Sequence, residues 1–475
     1  MTKISDHKFH FSLPADSDER IQMALRHLRN WFEIIVLTGL IALLLIAAGV
    51  LMQSACTINK PQAVFANQLN VLFVITDDLG TTLGCYDHDL VKTPNLDHLA
   101  SRGAKFTRAY CQFPLCNPSR TSLLSGKRPK TTKIVDNVTH PKTFLPNGLF
   151  LPEHFKASGY FIARVGKVEH NHFTTPVIDW DFADTGFSED ADLGKENKMP
   201  NWEASELDDD QLPDGQNIRR AIELLREQAS KPFFLAVGLR RPHRPLIAPK
   251  KYFDLYRLED IVLPPDALID NGIPLQEKRE ALRAYFACVS YIDAQMGVLL
   301  DELDRLGLSE NTVIVFTSDH GVDLGQRNRF VQKQSLYENV VRVPLIFAGP
   351  QIPQGLSLNQ FAELVDLYPT LADLCGLPQP SGVEGLSLRP LFADPTQSWR
   401  KAVYADNRAR GEASRSVRTE TFRFWQGKKV PQSLYDLRAD PDEKHDLSSM
   451  RDYQDELRQL KRLLKRGWRE ALPSP

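Results

Sequence analysis

The chain has 475 residues, 42% of them hydrophobic and 25% charged, with a formal net charge of -2. Near-neutrality, with an isoelectric point near 6.6, excludes the basic footprint of a nucleic-acid-binding protein and predicts no nucleic-acid partner. Six scattered cysteines exclude a disulfide scaffold, and the lack of a C-x-x-C pair argues against a cysteine-type zinc site.

Residues 1–33 are polar and mixed in charge, ending in Arg26-His27-Leu28-Arg29-Asn30-Trp31-Phe32-Glu33. Ile34 to Met52 follows as an uncharged apolar run of about nineteen residues, long enough to cross a bilayer as a helix. Positive charge ahead of the run predicts that residues 1–33 stay in the cytoplasm, as a cytoplasmic segment or n-region, and that the rest is exported. Residues 53–66 are a linker in which three fates stay open. Val64-Phe65-Ala66 fits a signal-peptidase site, Gln53-Ser54-Ala55-Cys56 resembles a lipoprotein box with Gln53 in place of an aliphatic residue, and the run can remain as a signal anchor. Each fate places the remainder outside the cytoplasm, periplasmic, extracellular or membrane-anchored, with the membrane as a partner only through Ile34–Met52.

The folded part opens with the apolar run Asn70 to Thr76, the pattern of a parallel strand buried on both faces. Tyr160–Val165, Phe233–Val237, Thr312–Thr317 and Val343–Ala348 repeat the pattern, with helical segments between them. Tyr285, Val289, Ile292, Met296, Leu299 and Leu303 recur at spacings of three and four within a helix predicted from about Pro274 to Leu306, which Gly307 stops. Asp366 to Gly376 reads as a further short helix. Beyond Pro378 the pattern changes to short strands around Val403, Val417, Phe424 and Leu434 and a final charged helix from about Asp452 to Glu470. The predicted fold is α/β: a large mixed, mostly parallel sheet covered by helices over residues 67–380, with a smaller C-terminal α+β subdomain over 381–475.

In open α/β sheets reactive groups gather past the carboxyl ends of the strands. Asp77-Asp78 ends the first strand, and Ser318-Asp319-His320-Gly321 ends the strand from Thr312. Three carboxylates meeting at one edge repel unless a hard dication sits between them, and an oxygen-rich site suits calcium or magnesium. Gly166-Lys167-Val168-Glu169-His170 and Arg241-Pro242-His243-Arg244-Pro245 each follow a strand, and Lys333 lies in the loop after Asp319. Cationic groups so placed form a clamp for an anion. In Cys116-Asn117-Pro118-Ser119-Arg120-Thr121-Ser122-Leu123-Leu124-Ser125-Gly126, Pro118 starts a helix because its missing N–H is not needed there, and Arg120 brings a permanent cation about one turn after Cys116. A Cys111–Cys116 bridge would consume that cysteine.

The stretch from Cys116 to Gly126 resembles the sulfatase signature C-x-P-S-R-x-x-x-x-x-G, within the alkaline phosphatase-like superfamily. From Asn70 to about Leu377 the wording is similar to the iduronate 2-sulfatase branch: Asp77-Asp78-Leu79, Leu83-Gly84-Cys85-Tyr86, Gly166-Lys167-Val168, Pro242-His243, Tyr285 to Tyr291 and Ser318-Asp319-His320-Gly321. The resemblance implies that a formylglycine-generating enzyme converts Cys116 into formylglycine. One hydroxyl of the hydrated aldehyde then attacks sulfur, and the other, once deprotonated, expels sulfate. It also implies a divalent metal, calcium or alternatively magnesium, on Asp77, Asp78, the Cys116 side chain, Asp319 and His320. By the same resemblance Lys167, His243 and Lys333 hold the sulfate oxygens, Arg120 and His170 address the formylglycine hydroxyls, and His243 or Lys333 protonates the departing alcohol. His320 agrees with the iduronate and choline branches and differs from the asparagine of many arylsulfatases. The chain departs from those branches at Leu324-Gly325-Gln326-Arg327-Asn328, where they carry a Gly-Glu-His stretch.

The implied activity is an exported sulfatase acting on sulfated sugars or polysaccharides, of the iduronate-2-sulfate type first. Choline sulfatase, a phosphonate or phosphodiester hydrolase of the same superfamily, and an unmodified protein that only binds sulfated glycans are the alternatives. Arg241 and Arg244 beside His243, with Arg327 and Arg329 in the departing loop, predict a cationic entrance that favours acidic sugars over choline esters.

Overall fold

The computed structural model describes residues 68–170, 176–185, 199 and 201–473, together with isolated helical positions between Ile21 and Arg29. The chain divides into units 1–67 and 68–475. The apolar run Ile34–Met52 and the segments Gln53–Cys56 and Val64–Ala66 lie outside the described residues. Among the described residues no helix is long and apolar enough to cross a membrane.

Seventeen strands are described, in chain order β1 (Asn70–Thr76), β2 (Gly103–Tyr110), β3 (Phe161–Gly166), β4 (Phe182–Asp184), β5 (Trp202–Ser205), β6 (Phe233–Gly238), β7 (Leu246–Pro249), β8 (Thr312–Ser318), β9 (Asp323–Leu324), β10 (Phe330–Gln332), β11 (Arg342–Val343), β12 (Leu345–Ala348), β13 (Leu356–Glu363), β14 (Ala402–Ala409), β15 (Glu412–Thr419), β16 (Phe422–Gly427) and β17 (Ser433–Asp436). The main sheet runs β13–β2–β12–β8–β1–β6–β3–β4, and β11 pairs the far end of β2. From β8 to β4 all neighbours are parallel. β1 is fully buried: Leu72 and Val74 feed the hydrophobic core on one face, and Val71, Phe73 and Ile75 the core on the other. Two-sided burial explains the unbroken apolar run, since successive side chains point to opposite faces and each contributes about 1.5–3 kcal/mol when fully buried.

Two features depart from the sequence expectation. The run Val343–Ala348 is not a parallel strand but lies antiparallel between β8 and β2, and it breaks at Pro344, which has no N–H for the ladder. β2 and β13 escaped the sequence reading because their sequences, Gly-Ala-Lys-Phe-Thr-Arg-Ala-Tyr and Leu-Ser-Leu-Asn-Gln-Phe-Ala-Glu, mix polar with apolar residues.

The helices used below are α1 (Pro94–Ser101), α2 (Cys116–Ser125), α3 (Leu151–Ala157), α4 (Pro213–Gln228), α5 (Leu275–Arg305), α6 (Leu367–Leu374) and α7 (Gln454–Arg466). α5 carries the predicted stripe, every member of which is buried in one core, and it ends ahead of Gly307 with φ +68°. In the C-terminal part β14 to β17 form an antiparallel sheet on which α7 lays Leu457, Leu460 and Leu464 against Tyr404, Val417, Phe424 and Leu434.

Strand register sets up the site. Thr76 is level with Ser318, Ile75 with Gly238, and Gly166 with Gly238. The segments carrying Asp77, Asp319, His243 and Lys167 therefore all leave the sheet at one edge.

Candidate active site

Cys116 opens α2, the whole of which is buried. The helix stops at Gly126, φ +63°, where an added Cβ would lie 2.8 Å from Val383 Cγ1. That geometry explains the closing glycine of the motif. All five described cysteines, Cys111 and Cys116 included, are free thiols. The Cys116 thiol donates to Asp77 Oδ1 at 3.3 Å, and Lys333 Nζ donates to its sulfur at 3.0 Å.

The predicted carboxylates converge here. Asp77, Asp78 and Asp319 are buried, and they face Lys167, Lys333 and Arg120. Lys167 Nζ pairs with Asp77, Lys333 Nζ with Asp78 Oδ1 at 2.8 Å, and Arg120 Nε with Asp319 Oδ2 at 2.9 Å. Despite burial, the neighbouring cations Lys167 and Arg120 hold Asp77 well below the usual carboxylate range. Burial pushes Asp78 up, with Asp77 and Asp319 adding repulsion against the pull of Lys333. Asp78 sits at φ +67°, a left-handed conformation costly for a residue with a Cβ. Three contacts hold it: its N–H donates to Asp319 Oδ1 at 3.2 Å, its carbonyl accepts from Tyr285 at 2.9 Å, and the next N–H, of Leu79, donates to Ser318 Oγ at 3.0 Å.

Arg120 has partners beyond the Cys116 side chain that the motif gave it. It is fully buried, and besides Asp319 it donates to the carbonyls of Thr76, Val168 and Lys167 and lies 3.7 Å from Asp77 Oδ1. The guanidinium thus ties the ends of β1, β3 and β8 together, and its fork spends its donors on them. Burial works against the charge, but Asp319 and Asp77 raise its pKa. Ser119, which the motif gave no role, donates to the Asp319 carbonyl at 2.6 Å.

His243 Nδ1 is 2.6 Å from the Arg244 carbonyl, an acceptor only, so the ring proton sits on Nδ1 and Nε2 faces Asp78 Oδ2 at 3.9 Å with a lone pair. Burial and the charge of Lys333 push its pKa well below the ordinary histidine value. His320 lies 3.4 Å from Asp78 Oδ1 through Nδ1 and 3.8 Å from Asp319 Oδ2 through Nε2. Burial opposes its charged form, but Asp319 raises its pKa to about 9. Lys333 is likewise raised, by Asp78 and Cys116 against desolvation. His170 is half buried, the last described residue of the loop after β3, next to 171–175, which lie outside the description.

A metal fits this donor set. One ligand atom each from Asp77, Cys116, Asp319 and His320, and one each from Asp77, Asp78, Cys116 and His243, lie within 4.8 Å of one another. Among the described residues His320 Nε2 is buried without a hydrogen-bond partner, as an atom meant for a ligand would be. Oxygen-rich chemistry with one imidazole suits a hard divalent cation. Because three carboxylates already face two ammonium groups and a guanidinium, a dication would leave surplus positive charge, which attracts an anionic ester.

The arginines expected at the entrance are mostly engaged inside the protein. Arg241 is buried and donates from Nε to the Ile247 carbonyl at 2.8 Å. Arg327 pairs with Asp323, donates to Asn339 Oδ1 at 2.6 Å and stacks 3.6 Å from the Tyr337 ring centroid. Arg329 pairs with Asp323 Oδ2 at 3.2 Å. Of the four, Arg244 alone keeps a partly exposed side chain with no ion pair among the described residues. Sequence reasoning also missed Asp214, whose buried oxygens accept from the N–H groups of Arg240 at 2.7 Å and Arg241 at 2.9 Å and so hold the His243 loop. Its place on α4, far from any motif, gave no signal.

The sulfatase family profile matches residues 69–377, and a profile of the N-sulphoglucosamine sulphohydrolase C-terminal region matches residues 326–470. The chain is 33% identical over 442 residues to a sulfatase of Formosa agariphila, covering 83% of this chain and 86% of that protein. It is 34% identical over 407 residues to iduronate 2-sulfatase of Homo sapiens, covering 70% of this chain and 74% of that one. A solved structure of a protein in complex with its substrate D-glucosamine-2-N, 6-O-disulfate superposes with a TM-score of 0.72 at 23% identity, over 84% of this chain and 97% of the other. The chain belongs to the sulfatase family, with the alkaline phosphatase-like fold and the sulfate-ester hydrolysis of that family.

Proposed function

We propose that the protein is an exported sulfatase that removes sulfate from acidic sulfated sugars, of the 2-O-sulfated uronate kind, with Cys116 as the residue that becomes formylglycine. The observation that carries this reading is the convergence of Cys116 with Asp77, Asp78, Asp319 and His320 beneath Lys167, Lys333 and His243. Formylglycine would supply a nucleophilic hydroxyl and a route to expel sulfate, and a divalent metal on Asp77, Asp78, Asp319 and His320, calcium or magnesium by donor type, would supply Lewis acidity.

The chain's own residues do the rest. The ammonium groups of Lys167 and Lys333 neutralise oxygens of the ester as charge builds on them. His243 is held neutral by burial and Lys333, and an arriving anion favours its protonated form, which can then give a proton to the departing alcohol from Nε2. Arg120, engaged with Asp319 and three carbonyls, fixes the geometry of strand ends. Arg244, next to His243, is the cation left to read a sugar carboxylate. Export rests on the apolar run Ile34–Met52 and the positive charge ahead of it.

The test compares kcat/KM on a 2-O-sulfated uronate disaccharide, a neutral 6-O-sulfated hexose and choline sulfate, for the wild type co-expressed with a converting enzyme and for Cys116→Ala and Arg244→Ala. Cys116→Ala is expected to lose turnover by orders of magnitude. Arg244→Ala is expected to raise KM for the uronate alone. Near-normal activity of Cys116→Ala rejects the nucleophile, and preference for choline sulfate rejects the substrate class.

A further inference from the structure

Lys333 reaches the site from a loop whose backbone is unusually constrained. Between Gly325 and Gln334 four residues with side chains have left-handed φ: Arg327 at +55°, Asn328 at +57°, Val331 at +47° and Gln334 at +63°. For a β-branched residue such as Val331 this conformation is rare, and it persists only where surrounding contacts over-determine it.

Those contacts centre on Asp323, fully buried at the start of the β9–β10 hairpin. Its Oδ1 accepts from Arg327 Nη2 and, at 3.0 Å, from Asn339 Nδ2, and its Oδ2 faces Arg329 Nε at 3.2 Å. Arg329 then extends Nη2 to the carbonyl of Lys333 at 2.6 Å, and its Nε also lies 3.2 Å from Gln332 Oε1. On the other side of Lys333, Gln334 N–H donates to the Pro114 carbonyl at 3.1 Å, two residues ahead of Cys116, and Asn407 of β14 donates to the Gln334 carbonyl at 3.0 Å. The backbone of Lys333 is thus clamped on both sides while its Nζ spans Asp78 and Cys116.

We infer that Arg329 is a positioning residue: paired with the buried Asp323, it holds the Lys333 carbonyl so that the ammonium group stays over Asp78 and Cys116. Among the described residues Arg329 bonds to neither the site carboxylates nor Cys116, so its link to the site runs through Lys333. This rests on the reading of Lys333 as part of the anion clamp. Arginine suits the task because its fork serves the Asp323 carboxylate and the carbonyl at once, whereas a lysine has a single nitrogen to offer.

The experiment uses the full chain co-expressed with a converting enzyme and measures kcat/KM on 4-nitrophenyl sulfate and the 2-O-sulfated uronate disaccharide. The variants are Arg329→Ala, Arg329→Lys, Lys333→Ala and the Arg329→Ala/Lys333→Ala double. A misplacement of about 1 Å can cost on the order of 100-fold, so Arg329→Ala is expected to lose roughly 10- to 100-fold. Arg329→Lys keeps a charge opposite Asp323, folds, and loses activity all the same. The double variant should be no slower than Lys333→Ala, the coupling expected of two residues acting as one unit. A crystal structure of Arg329→Lys should show Lys333 Nζ displaced from Asp78 with Asp77 and Asp319 unmoved. Wild-type rates in Lys333→Ala overturn the reading of the clamp itself. Wild-type rates in Arg329→Lys with Lys333→Ala impaired, or multiplied losses in the double variant, overturn the positioning role alone.

Discussion

Replacing Glu363 by glutamine tests how the main sheet and the C-terminal sheet are joined. Glu363 ends β13 and is buried. Its Oε1 accepts from Arg128 Nη1 at 2.8 Å and from the Tyr404 N–H at 3.1 Å, and its Oε2 accepts from Arg128 Nη2 at 2.5 Å and from Arg400. One carboxylate therefore links the segment after α2, the end of β13 and the start of β14. Glu363→Gln keeps the shape but leaves two buried guanidinium groups on a neutral acceptor, with Asp366 as the remaining anion of Arg400 at 2.7 Å. Breaking a buried pair from one side typically costs about 3–5 kcal/mol. At about 2.1 cal/mol/K per residue over roughly 400 folded residues, that is a fall in Tm of roughly 4–6 °C. The pH dependence has a definite sign. Against the cost of burial, Arg128 and Arg400 hold the folded pKa of Glu363 below the ordinary glutamate value. The contribution is therefore fully present above the unfolded pKa and is lost as pH falls from there through the folded pKa. Differential scanning calorimetry of both proteins at pH 7 and at steps below pH 4.5 should show a gap that narrows with acid. A gap under about 1 kcal/mol at pH 7, or one that stays constant on acidification, would refute the argument.

Two further outcomes are expected. Asp77→Asn should lower bound divalent metal, measured by elemental analysis, together with kcat/KM; a variant with full metal content and full rate contradicts the metal assignment. Tyr285→Phe removes the donor to the Asp78 carbonyl and leaves that group buried without its 2.9 Å partner, a loss of about 1–3 kcal/mol in denaturant unfolding. It should also slow turnover by loosening Asp78, and unchanged stability and rate in that variant would show that Asp78 is held by its other contacts alone.

Several parts of this protein were legible in its sequence. β1, β6 and β8 show as unbroken apolar runs because burial on both faces removes any alternation, and α5 shows because one stripe faces a single core. Asp77, Asp78, Asp319, His320, Lys167 and His243 could be placed at one sheet edge because each follows a strand terminus, and parallel strands bring such termini together, while Cys116 was legible through its motif and Lys333 through its loop after Asp319. The roles of the arginines were not legible. Arg241, Arg327 and Arg329 read as cations for an anionic substrate and Arg120 as a cation for the formylglycine hydroxyls, yet each also gives donors to carbonyls or buried carboxylates hundreds of residues away or within its own loop. Local sequence carries the charge of a guanidinium but not the identity of its partner, which depends on which distant backbone groups folding brings within about 3 Å. The same holds for Tyr285, a core-stripe member by sequence, and for Asp214, which the sequence reading passed over; the assembled sheet edge turns them into supports for Asp78 and for the His243 loop. The chemistry was written in residue type and strand position, while its orientation was decided by long-range hydrogen bonds that exist only once the sheet has formed.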